Sequence, residues 1–187
     1  MTGLKIISGD LKGKKLFSAK GLKIRPTSGR LRESIFNILS NKVVDSVVLD
    51  LFAGTGALGI EALSRGASYA IFIDNDKEAV STISKNIKAC GLTERIAIAR
   101  FDISKKNIEY THTIPAVSLV FMDPPYNKDL ITPALINLSK SRVLENNASI
   151  VIEHDLRETL PENISVYKIT DQRKYGKTFV SFLKYMV

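Results

Sequence analysis

A short apolar run that closes on a carboxylate and then breaks into glycines constrains this chain most. It is Val47-Val-Leu-Asp50-Leu-Phe-Ala-Gly54-Thr-Gly56-Ala-Leu-Gly59. A run that is apolar on both faces reads as a buried parallel strand, and the glycines allow a tight turn into a helix. The pattern then repeats. Strands are predicted at 47–51, 69–74, 95–100, 117–122 and 148–153, interleaved with helices at about 57–65, 76–90 and 129–142. Such alternation predicts an α/β fold with a mostly parallel, doubly wound sheet. The end of the chain differs: Ile164–Thr170 and Thr178–Tyr185 flank Arg173-Lys-Tyr-Gly176-Lys with no helix between them. They read as an antiparallel edge hairpin.

The charge is not spread evenly. Of 27 basic residues, nine lie in the first 32 positions (Lys5, Lys12, Lys14, Lys15, Lys20, Lys23, Arg25, Arg30 and Arg32), beside one acid, Asp10. The remaining 155 residues carry 18 of each sign, so the whole net charge of +8 sits on an N-terminal arm. A local basic surface on a neutral body is the footprint of a phosphate backbone, where a merely solvated basic edge is the blander reading. Residues 4–8 and 14–17 are predicted to form a small hairpin around Gly9 and Gly13. A helix should follow, capped by Thr27 or Ser28, with Leu31, Ile35, Ile38 and Leu39 at helical spacing and Pro26 holding the preceding segment extended. One domain is expected over 1–187: a basic extension at 1–40 and a body at 41–187. No apolar run approaches a membrane span, the N-terminus lacks the apolar core of a signal peptide, and Cys90 is the only cysteine. A cytoplasmic protein with a packed, inert thiol is therefore expected.

Gly54-Thr55-Gly56-Ala-Leu-Gly59 has the spacing of a dinucleotide-binding turn, and Asp74 closes the next strand 20 residues after Gly54. A carboxylate there can accept from two ribose hydroxyls, so an adenosine-containing cofactor is implied. Two residues tilt the reading from NAD towards S-adenosylmethionine. Asp50 would repel a pyrophosphate but attract an ammonium. Asp102, just past the third strand, can accept from an adenine amino group, or simply cap its own turn.

Asp123-Pro124-Pro125-Tyr126 closes the strand at 117–122. The prolines stiffen the loop, and Asp123 with a proline carbonyl offers two acceptors to one planar amino group. Such an amine is a poor nucleophile, and catalysis on it is mainly positioning and electrostatics. Tyr126 would supply a face on which a base stacks. Other candidates are weak. His112 and His154 show no metal-ligand spacing, so no metal is expected, and His154 is expected to be exposed. Ser28 and Ser34 have no partnered base.

On these residues the chain resembles the bacterial small-subunit ribosomal RNA guanine-N2 methyltransferases. The resemblance rests on Ile6–Gly9, Gly13–Leu16, the stretch Arg25-Pro-Thr-Ser-Gly-Arg30-Leu-Arg-Glu33-Ser-Ile-Phe36-Asn37, Leu49–Gly59, Glu61–Ala67 and Asp123–Tyr126. It implies a Rossmann-like class I methyltransferase fold and methylation of a guanine exocyclic amine in 16S rRNA, within a small-subunit particle. The arm would help close the cofactor pocket and meet RNA. The cofactor set is then Asp50, Phe52, Gly54, Thr55, Gly56, Asp74, Asn75, Asp102 and Ile103. The catalytic set is Asp123, Pro124, Pro125 and Tyr126, and the RNA contacts are Lys12, Lys14, Lys15, Arg25, Arg30 and Arg32. A monomer without membrane attachment is expected. Three other functions use part of the pattern. An adenine-N6 methyltransferase shares the Asp-Pro-Pro-Tyr loop, a nicotinamide-dependent dehydrogenase would use the glycines alone, and a non-catalytic RNA-binding module only the arm.

Overall fold

Among the described residues, seven strands and four helices follow one another in the order that the apolar runs predict. The computed structural model describes residues 3–18, 29–108, 115–161 and 165–187. They belong to two compact units, Met1–Phe101 and Asp102–Val187.

In the first unit, helix α1 (Gly29–Leu39) leads into strand β1 (Val47–Leu51), helix α2 (Ala57–Ser64), strand β2 (Tyr69–Asp74), helix α3 (Lys77–Cys90) and strand β3 (Ile96–Arg100). β1, β2 and β3 lie side by side and all parallel, with Leu51 opposite Ile73 and Asp74 opposite Arg100. β1 and β2 are apolar because both faces are covered: Val48, Leu49, Leu51, Ala70 and Phe72 are buried. α3 starts where the Asp76 side chain accepts from the Glu78 N–H at 2.8 Å, and it ends at Gly91. α1 buries Leu31, Ile35, Phe36 and Leu39, with Phe36 in the predicted place of the half-buried Ile38, and it also buries Arg32. The residues expected to cap it lie outside the described ones.

The arm's hairpin is present as a narrow ladder. Lys5 and Lys15 pair antiparallel, and the Ile6, Gly13 and Leu16 N–H groups close the loop onto Lys14, Ile6 and Leu4 carbonyls. The loop sits against the end of α2 so tightly that a Cβ on Gly9 would stand 1.7 Å from the Ser64 carbonyl oxygen, and Gly9 also has φ +80°. Only glycine fits there.

In the second unit, strand β4 (Val117–Met122) is followed by helix α4 (Ile131–Lys140) and strands β5 (Leu144–Asp155), β6 (Tyr167–Tyr175) and β7 (Thr178–Tyr185). β4 and β5 are parallel; β5 pairs antiparallel with β7, and β7 with β6. This is the antiparallel edge read from the sequence, with two differences. β5 is twice the predicted length, because Leu144 already pairs with Val117 across a register shift and Asp155 still pairs with Thr178. Arg173, Lys174 and Tyr175, predicted as turn, are strand residues opposite Val180, Phe179 and Thr178, which leaves a two-residue turn at Gly176-Lys177.

That longer β5 corrects the expectation for His154, which is buried rather than exposed. Its Nδ1 lies 3.1 and 3.0 Å from the Asp155 and Glu158 carbonyls, so it carries the proton, and Nε2 accepts from the Ser181 hydroxyl at 2.8 Å. Burial lowers its pKa and keeps the ring neutral. It is a satisfied core histidine. Among the described residues, no helix is long and apolar enough to cross a membrane.

Candidate active site

The candidate cofactor floor lies where β1 and β2 end. Ala53 N–H donates to the Ile73 carbonyl at 3.0 Å, which ties the turn after β1 to the last residues of β2. Asp74 does the rest. Its Oδ2 accepts from Gly54 N–H at 2.8 Å and its Oδ1 from Asp76 N–H at 2.9 Å. A carboxylate has about four lone-pair sites, so some capacity stays for a ligand. Asp74 therefore shapes the glycine turn as well as facing it, a role the spacing alone does not reveal. Burial raises its pKa, and its three backbone N–H contacts oppose that.

Asp50 is buried in the strand below. Its Oδ2 accepts from Gly59 N–H at 2.9 Å. Burial, with a smaller contribution from Asp74, pushes its carboxyl up to about 8. Gly59 is required by contact: a Cβ would come within 2.4 Å of the Phe72 ring. Phe52 has φ 57°, a left-handed conformation that bulky residues rarely adopt and that costs about 1–3 kcal/mol. Thr55 lies between Gly54 and Gly56, and Asn75 follows Asp74; Asn75 is exposed, and its carbonyl accepts from Arg100 Nε at 3.1 Å.

In the second unit, Asp102 opens a turn. Its Oδ1 accepts from Ser104 N–H at 3.1 Å and its Oδ2 lies 3.3 Å from Lys105 Nζ, so the capping arrangement is the one formed. Ile103 is buried, and its carbonyl accepts from Asn137 at 2.8 Å. The Asp123–Tyr126 loop follows β4. Pro124 is buried and Pro125 exposed, and the backbone after them turns left-handed at Asn127 (φ 55°) and Asp129 (φ 52°). The Tyr126 hydroxyl donates to Glu153 Oε1 at 2.7 Å and lies 3.2 Å from Thr178 Oγ1. β5 and β7 thus hold the ring by its polar end, and burial raises the phenol's pKa. The loop is anchored at Tyr126 while Asp123 stays half-buried at the strand end.

The family described as Conserved hypothetical protein 95 matches residues 4–184, almost the entire chain. The chain belongs to that family. The Bacillus subtilis protein YlbH is 36% identical over 181 residues, 97% of this chain and 98% of that one. The Escherichia coli K12 protein named Ribosomal RNA small subunit methyltransferase D is 33% identical over 168 residues, 88% of this chain and 83% of its own length. The solved structure of Escherichia coli yhhF superposes with a TM-score of 0.83 at 29% identity, covering 97% of both chains.

In this member of the Conserved hypothetical protein 95 family, the basic residues separate into two kinds. Lys12, Lys14, Lys15 and Arg30 are exposed, and Arg25 lies outside the described residues. Arg32, expected as an RNA contact, is corrected by its burial. It is 2% exposed, lies 3.6 Å from the fully buried Glu61 and donates through Nη2 to the Lys5 carbonyl. Burial lowers its pKa, and Glu61 offsets that only in part. It clamps the arm and cannot reach a phosphate.

Two further residues escaped the sequence reading. Glu61 accepts from the Ile7 and Ser8 N–H groups of the arm at 2.8 and 3.0 Å, and from Arg65 at 2.8 Å. Asn86, wholly buried on α3, accepts from Phe17 N–H at 2.7 Å and donates to the Phe17 and Thr55 carbonyls at 3.1 and 2.9 Å. Both left a signal. Glu61 is the single charge in the apolar run Ala57–Ser64, and Asn86 shares a helical face with Ala79, Ile83, Ile87 and Cys90. A polar side chain on a buried face needs a partner.

Proposed function

We propose that this chain methylates the exocyclic N2 amine of a guanine in small-subunit ribosomal RNA, with S-adenosylmethionine as donor, acting in the cytoplasm as a monomer on a small-subunit particle. The names of its relatives support the substrate. The anchored Asp123–Tyr126 loop carries the chemistry, because it offers two acceptors and an aromatic face at the end of a strand.

The floor residues fit the donor. Asp50 is a buried carboxyl suited to an ammonium, Asp74 keeps lone pairs for ribose hydroxyls, and the Gly54–Gly56 turn admits a close ligand. Phe52, Thr55 and Asn75 complete the set on this unit. S-adenosylmethionine, when bound, supplies an electrophilic methyl on a sulfonium. The protein's part is to make the amine a nucleophile. Asp123 and the Pro124 carbonyl accept from its two N–H groups, which orients the nitrogen lone pair, and Tyr126 stacks the base. These acceptors act most strongly when the amine is aligned for attack, so they lower the barrier rather than the ground state. Lys12, Lys14, Lys15, Arg25 and Arg30 take phosphates.

The test is incubation with tritiated S-adenosylmethionine, total RNA and ribosomal particles, followed by nucleoside analysis. Label in N2-methylguanosine of small-subunit RNA is expected. Label in N6-methyladenosine would move the assignment to the adenine enzyme, and no label at all would overturn the reading. Asp123→Ala should keep donor affinity and lower turnover by about 10²–10³-fold.

A further inference from the structure

Arm residue Leu16 is buried, whereas its neighbour Phe17 is 58% exposed. Single exposed apolar side chains are ordinary and signify nothing alone. Phe17 is set apart by how it is held. One buried amide grips it on both sides: its N–H donates to Asn86 Oδ1 and its carbonyl accepts from Asn86 Nδ2. The same Nδ2 donates to the carbonyl of Thr55, the residue between Gly54 and Gly56. The backbone under the ring is thus tied to the cofactor turn through one side chain, although Asn86 is 69 residues further along the chain. Exposed cations precede it. Lys12, Lys14 and Lys15 all face solvent, and Lys15 and Phe17 alternate with buried Leu16 as residues on one side of an extended segment do.

We propose that Phe17 is a stacking residue for a nucleobase of the RNA substrate, with Asn86 as the positioning residue that fixes it beside the cofactor turn. This rests on the ribosomal RNA reading above. An aromatic face beside a run of cations is the combination that holds unpaired nucleotides, the face taking a base and the cations the backbone. A backbone already fixed at both polar groups loses little freedom when the base arrives. The exposed ring then has a use that folding does not give it. The exposed lysines favour a base of the polyanionic RNA over the cofactor's adenine as the ring's partner.

The experiment compares wild type with Phe17→Ala, Phe17→Leu and Phe17→Trp. It measures the KM for RNA and kcat, the Kd for S-adenosylmethionine by calorimetry, and Tm. Phe17→Ala should raise the RNA KM about five- to a hundredfold. Phe17→Leu should be nearly as poor, because it keeps apolar area without a π face, and Phe17→Trp should stay near wild type. Donor Kd and Tm should not move in any of the three. An RNA KM within twofold of wild type in Phe17→Ala, full activity in Phe17→Leu, or weakened donor binding would each overturn the assignment. A wild-type protein that labels no RNA would overturn this together with the substrate reading. Wild-type labelling with an unchanged Phe17→Ala would overturn this alone.

Discussion

Asp50 illustrates how burial moves a carboxyl's titration towards neutral pH. Its folded pKa, about 8, lies above the ordinary 3.8 because burial outweighs the Gly59 N–H. Between those values the native chain holds a proton that the unfolded chain has released. This carboxyl's contribution to stability therefore falls as pH rises from about 4 to about 8. Asp50→Asn keeps an acceptor for Gly59 and removes the titration. Its Tm, relative to wild type, should be higher at pH 8 than at pH 4, by about 2–4 °C for each kcal/mol relieved. Melting curves at the two pH values check this. The same variant should bind S-adenosylmethionine more weakly. Wild-type donor affinity should climb from pH 6 to pH 8, by up to about tenfold per unit, as the carboxylate forms. A flat affinity profile would remove Asp50 as the partner of the ammonium.

The arm and α2 depend on each other through one carboxylate. Glu61 accepts from two arm N–H groups and from Arg65 and lies 3.6 Å from the buried Arg32, and Ser64 adds its own pair, accepting from Leu11 N–H at 3.0 Å and donating to the Ser8 carbonyl at 2.6 Å. Arg65 also lies over the Phe36 ring at 4.7 Å, which joins α1 to the same cluster. Breaking a buried pair costs more than the pair contributes, because the partner stays buried and unpaired. Glu61→Ala should therefore lose about 3–5 kcal/mol in urea unfolding. Glu61→Gln, which keeps one acceptor oxygen, should lose less. Equal stability in wild type and Glu61→Ala would mean that the arm is held by its apolar contacts alone, chiefly Ile6 and Leu16.

Across the molecule, the excess charge and the clamp lie in the same unit but serve different ends. Of the six arm cations among the described residues, Lys5, Lys12, Lys14, Lys15 and Arg30 are exposed and Arg32 is not. If the exposed ones meet phosphates, RNA affinity should fall steeply with salt as counterions are released. Replacing Lys12, Lys14 and Lys15 together by Ala should flatten that slope by about 2–3 units. Arg32→Ala should lower Tm and leave the slope alone. Titrations of RNA at several salt concentrations separate the two, and identical slopes for wild type and the triple variant would show that the hairpin lysines only face solvent.

The chain order of strands and helices was legible because it is written locally. Val47–Leu51, Tyr69–Asp74 and Val117–Met122 are apolar runs with polar flanks, and their ends are where a carboxylate or a glycine interrupts them. The candidate site residues could be picked out for the same reason, since a carboxylate or a glycine closes each apolar run, but the contacts of Asp50 with Gly59 and of Asp74 with Gly54 come from the fold. The ends of β5 and β6 were not, because they are set by pairing with β7 and by a register shift, and polar residues such as Glu145, Asn146 and Arg173 give no local sign of strand. Nor were the fates of Arg32 and His154. A charged or titratable side chain is exposed unless a partner offsets its burial. Their partners, Glu61 and Ser181, belong to elements that only folding brings alongside.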